Sequence, residues 1–182
     1  YNREWLNQLA NGEGFFENSL KQDSTLVYQT VHGRTVFGGG GIMPDIFVPL
    51  DTSKLTTYYL KLENHDIFNQ FAFDYSEENH KILSRFKTDK DLLAFLKTQP
   101  ILNNIVIYAE HKGIKRRSNL IAKSANQILT VTYACIVRDF FGEEAFFKVY
   151  LQGDPMIQKA IEAIQKGYAA KEAIVAEKYK FK

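Results

Sequence analysis

Cysteine is almost missing from this chain. Cys135 is the single one in 182 residues, so no internal disulfide can form and the redox compartment stays open. A dominant charge is missing too. Twenty-three basic and 21 acidic side chains leave a formal net charge of +2, which argues neither for nor against nucleic acid. No apolar run approaches the roughly 20 residues of a membrane span. There is no internal repeat and no low-complexity tract. The H-E-x-x-H zinc motif is absent, and Glu77 with His80 makes a lone E-x-x-H. A carboxylate-bridged metal site needs a second copy on another helix. His32, His65, His80 and His111 therefore read as surface or cap residues, and no metal or other cofactor is expected.

What is present suits one globular domain with or without an appendage. Hydrophobic residues are 45% and charged residues 24%, and the length buries a core without disulfides. The sequence opens at Tyr1 on helix-like residues, which reads as a piece of a longer protein.

The densest signal is Gly33 to Asp45, with four consecutive glycines, Gly38, Gly39, Gly40 and Gly41. Val27 to Phe37 before them is rich in β-formers, and Ile42 to Leu50 after them is apolar. Glycine loses more backbone freedom on folding than any other residue, so such a run marks φ > 0 or close backbone approach. A phosphate-cradling loop would need a helix and a Lys-Ser or Lys-Thr pair next. Pro44 instead pushes Met43 out of the helical region. A β-bulge or tight crossover packed on a larger sheet fits better. Gly39 and Gly40 are the expected points of close approach, and Arg34 with Asp45 could pair or cap locally.

From Asp51 the texture turns helical. Asp51-Thr52-Ser53 offers caps for a helix with Leu55, Tyr58, Tyr59 and Leu62 on one face. Asp66 opens a second helix with Ile67, Phe68 and Phe71, and a further turn or two reaches Phe86. Thr88 caps a third. Pro100 starts a fourth over Ile101 to Lys112, closed by Gly113. Ser118 caps the longest, Asn119 to Phe141, closed by Gly142. Glu143 to Leu151 follows, and Asp154-Pro155 opens a last helix running towards Tyr179. The fold class is mainly α with a small β part (α+β). Residues 1–24 form a lead-in with a short helix over Asn2 to Ala10, residues 25–50 a β-hairpin, and residues 51–182 a helical domain. A lone hairpin is marginal in water and needs a sheet or helices to cover it.

The Gly-rich string, followed by Ile42-Met43-Pro44-Asp45 and Val48-Pro49-Leu50-Asp51, closely resembles a segment of the carboxyl-terminal processing proteases. These tail-specific Ser–Lys endopeptidases form peptidase family S41, and the form seen here is similar to Bacteroidetes-type members. The similarity continues through Phe71 to Tyr75 and Phe140 to Phe146, covering about Tyr1 to Gly167. The resemblance implies a periplasmic or cell-envelope enzyme with a PDZ domain that takes protein or peptide substrates by an apolar C-terminus. Its serine and its neutral, desolvated lysine lie in motifs upstream of the Gly-rich segment. Neither motif occurs here, because Ser124-Ala125 runs on into Asn126-Gln127. The resemblance thus implies a C-terminal fragment of a serine endopeptidase without its dyad, in which the hairpin completes the protease core. The helices would pack on that core or gate substrate. The upstream core and PDZ domain are the implied partners, with no nucleic acid, and self-association stays open. The rival is a self-sufficient, non-catalytic helical protein-binding module. The edge of the hairpin discriminates, since a severed core leaves apolar strand surface bare.

Other candidates are weaker. Ser84-Arg85-Phe86-Lys87 matches S-x-x-K, but its companion S-D-N and K-T-G motifs are missing. Lys112, Lys115, Arg116, Arg117 and Lys123 form an acid-free basic cluster, either a solvated loop or a patch for an anionic surface. It lacks the aromatic interleaving of single-strand binders. Of the 14 Phe and 10 Tyr, Phe68, Phe71, Phe73 and Tyr75 cluster, as do Phe140, Phe141, Phe146, Phe147 and Tyr150; at helical spacing these read first as core, with an exposed remnant suited to docking or to a groove for apolar tails. Cys135 reads as a buried small hydrophobe.

Overall fold

The computed structural model describes residues 27–31, 35–37, 46, 48, 49 and 54–167. The chain is mainly α with a small β part and divides into two compact units. One is Thr52–Asp154; the other takes in Tyr1–Asp51 and Pro155–Lys182.

In the latter unit, β1 (Val27–Gln29) pairs antiparallel with β2 (Thr35–Phe37). The register sets Val27 opposite Phe37, Tyr28 opposite Val36 and Gln29 opposite Thr35. β-Branched and aromatic residues favour this pleated pairing. Val27 and Tyr28 are exposed, and Val31 beside them is 90% exposed. Gly38, Gly39, Gly40, Gly41, Pro44, Asp45 and Arg34 lie outside the described residues, as does the lead-in expected over residues 1–24.

The helical unit is built on seven helices. These are α1 (Thr57–Asn64), α2 (Ile67–Glu78), α3 (His80–Leu83), α4 (Asp89–Leu96), α5 (Ile101–His111), α6 (Ser118–Phe141) and α7 (Glu143–Tyr150). α6 is the axis, packing against α1, α2, α4, α5 and α7. Its buried Ile121, Ser124, Ile128, Thr132 and Cys135 recur every three to four residues, which keeps one stripe inward. Leu62, Leu92, Leu96, Ile101, Ile105 and Ile136 are fully buried in the shared core. By length and composition α6 could cross a membrane, since an 18-residue window of it is apolar enough. This corrects the reading that no such run exists. Half of that apolar window is buried against the other helices, as in a core helix.

Local chemistry explains the helix ends. The α1 cap falls on Thr56, not on Asp51-Thr52-Ser53, which lie outside the described residues. Thr56 Oγ1 accepts from Tyr59 N at 3.2 Å and meets Ser124 Oγ at 3.0 Å. Ser124 directs its hydroxyl hydrogen to Leu120 O, so Thr56 is the donor between the two. A buried tertiary hydrogen bond therefore selects the cap. Asp66 takes a left-handed φ of 54°, which turns the chain tightly from α1 into α2. Thr88 caps α4 as expected, accepting from Asp91 N at 3.1 Å and donating to Asp91 Oδ2 at 2.8 Å. α7 starts directly after Gly142, whose φ of 80° suits glycine.

The last described helix, α8 (Pro155–Gln165), belongs with the hairpin-containing unit. Proline at its first position and paired Lys159, Glu162 and Lys166 on one side support it. The rest of the run towards Tyr179 lies beyond the described residues.

Candidate functional site

The site grows from the turn between α5 and α6. Gly113 closes α5 with a φ of 89°. Its N–H bonds Glu110 O at 3.0 Å, and Ile114 N bonds Ala109 O at 2.9 Å. This double bond is the Schellman arrangement, and buried Ile114 and Ala109 supply its apolar partners. With Ile114 held inward, Lys115, Arg116 and Arg117 follow as an exposed run.

That run shares a cavity of about 570 Å³ with α1. Lys61, His65, Lys115 and Arg117 line it, together with Tyr58 and Leu120. Among the described residues lining it, none is acidic. Lys61 on α1 and His65 at its C-cap stand one turn apart, and His65 Nδ1–H donates to Lys61 O at 2.9 Å. Tyr58 is 1% exposed, and its buried hydroxyl has no hydrogen-bond partner. Burial first, then the Glu110 carboxylate, push its phenol pKa up, and Arg116 opposes them. α6 begins at the same place. Ser118 is its first helical residue, not its cap, and the cap position falls on Arg117 with no side-chain bond. Its first turn holds no acid either.

The basic cluster read from sequence is therefore divided. Lys115 and Arg117 reach the cavity, and Arg116 acts on Tyr58. Lys112 instead lies over the Tyr108 ring, 5.1 Å from its centroid, and Lys123 is exposed on α6 away from the cavity lining. Lys61 and His65 join from about fifty residues upstream, which no local motif announces.

A second cavity of about 730 Å³ lies among α1, α4, α6 and α7. Leu55, Tyr59, Leu93, Leu129 and Val149 give it apolar walls, and the buried Gln127 Oε1 in its lining lacks a partner. Lys54, Gln152 and Asp154 in its lining each have an interaction of their own.

The remaining candidates have structural places. Cys135 is 3% exposed and its thiol donates to Asn69 Oδ1 at 3.6 Å. Burial pushes it up to about 11, away from nucleophilic use. Arg138 Nη2 donates to the same oxygen at 2.8 Å. Ser84 and Lys87 are both exposed at the end of α3. His80 packs on Phe140, and no cluster of three or more potential metal ligands occurs among the described residues. Phe68 and Phe71 are core, whereas Phe73 and Phe147 are exposed.

Compared with known proteins, residues 58–142 match a family described as "Family of unknown function (DUF8443)". The match lies inside the helical unit and stops at the glycine that ends α6. No curated protein and no solved structure matches the chain.

Proposed function

We propose that this chain is the C-terminal part of a tail-specific serine endopeptidase of the S41 type. The hairpin belongs to the protease core, and the helical unit Thr52–Asp154 is a structural or regulatory domain without the catalytic dyad. The supporting observation is the contrast between the two units. Val27 and Tyr28 leave apolar strand surface exposed, and Val31 is exposed in the turn, on a hairpin too short to stand alone. Among the described residues the buried cluster, by contrast, runs from Tyr58 to Val149 within the helical unit. In this reading the upstream core and PDZ domain supply the serine, the lysine and the grip on a substrate's C-terminus. The working compartment is the periplasm or envelope, and the family resemblance of the Gly-rich string supports that assignment. Containment of the core favours one rival, an independent helical protein-binding module.

Mixing decides between them. The chain is combined with the separately produced upstream protease segment, and cleavage of a peptide with an apolar C-terminus is followed. Cleavage restored by the mixture, with none from either piece, is expected. A stable monomer that neither binds that segment nor changes its activity overturns the protease reading and leaves the module.

A further inference from the structure

We propose that the cavity between α1 and the α5–α6 turn binds a phosphate group, supplied either as free phosphate or as a phosphomonoester headgroup. The cavity lies wholly within the helical unit, so the proposal goes beyond the protease reading and does not depend on it.

Two features converge there. Lys61, Lys115 and Arg117 bring full positive charges to a lining that holds no acid among the described residues. None of the three makes an ion pair with a described residue, so their charge is not neutralised within the unit. The α6 N-terminus beside them has neither a side-chain cap nor an acid in its first turn. Its free N–H groups and the dipole of a 24-residue helix both favour an anion.

The count of charges and donors selects the ligand. A carboxylate brings one charge and two oxygens. Three cations, one of them a guanidinium fork, and helix N–H groups suit a divalent group with more oxygens. About 570 Å³ exceeds a bare phosphate and leaves room for a small esterified group. Glu110 is the acid felt at Tyr58, but it is not among the lining residues.

The test uses the whole chain in phosphate-free buffer. Inorganic phosphate, glycerol phosphate and phosphatidic-acid vesicles are titrated by calorimetry and by thermal unfolding, against sodium chloride of equal ionic strength. Phosphate is expected to bind and to raise the melting temperature by several degrees at saturation, where chloride does not. The double variant Lys115→Gln, Arg117→Gln lies on exposed positions and should fold unchanged, yet lose affinity by about tenfold or more. Vesicle binding that soluble phosphate reverses would identify a lipid headgroup as the source. Binding of soluble phosphate without vesicle binding would identify a free phosphate or phosphomonoester, and either result supports the site. No binding at about 20 mM phosphate, or equal binding by folded double variant and parent, overturns it.

Discussion

Replacing Tyr58 by phenylalanine removes one oxygen and leaves the ring that fills the core. In most buried tyrosines that change is destabilising, because a hydrogen bond goes with the oxygen. Here the hydroxyl is buried without a partner, so the folded state carries its desolvation uncompensated. Such a group costs about 1–3 kcal/mol. Deleting it recovers most of that, less a few tenths for the lost dispersion contacts of the oxygen. The expected outcome is a gain of about 1 kcal/mol, or about 2–4 °C in Tm for a chain of this size. Tyr108→Phe is the matched control, since Tyr108 Oη donates to Asp74 Oδ2 at 2.7 Å. Its exposed, charge-assisted bond should be missed by about 1 kcal/mol. Urea unfolding in phosphate-free buffer measures both, with midpoints moving in opposite directions at constant slope. A Tyr58→Phe variant destabilised by about 0.5 kcal/mol or more refutes the reasoning, because the hydroxyl then has a partner within the protein.

Two further outcomes are expected. Burial holds the Cys135 thiol up at about 11 against an ordinary 9.0, and the Tyr59 phenol at about 12 against 10.0. Both folded values lie above the unfolded ones, so the stability they confer is complete below about pH 9 and is lost as pH rises through 11 and 12. Melting curves between neutral and strongly alkaline pH should fall in that window, with a shallower slope in Cys135→Ala. A thiol reagent that modifies the folded protein quickly at neutral pH would contradict the burial. Thr88→Ala should cost about 1 kcal/mol by removing the α4 cap, and Thr88→Ser should recover most of it by chemical denaturation; equal losses in both variants would mean that the methyl, not the hydroxyl, matters.

The helices were legible where the determinants are local. Thr88, Pro100 and Gly113 mark ends by their own backbone chemistry, and the structure has α4 and α5 at those boundaries. The reading slipped where a distant residue decides. Thr56 caps α1 because Ser124, 68 positions away, takes its hydrogen bond. Ser118 looks like a cap, but the helix already includes it and Arg117 stands in the cap position. Half of the basic cavity was visible as the Lys115–Arg117 run. The other half was not, because Lys61 sits on α1 and His65 at its C-cap, and only packing brings them near. The unpartnered Tyr58 hydroxyl leaves no trace in sequence, since a tyrosine at a core position looks the same with or without a partner.

The hydroxyl relay from Thr56 through Ser124 to Leu120 has a mechanical consequence. Thr56 stands close to where the chain enters the helical unit at Thr52. A pull on that end meets a bolt fastened to the interior of the longest helix before it can lift the first turn of α1. The load then shears against the buried face of α6 instead of unzipping α1 residue by residue. Replacing either hydroxyl by a group that cannot hydrogen-bond would remove that bolt and leave the first turn of α1 to open first.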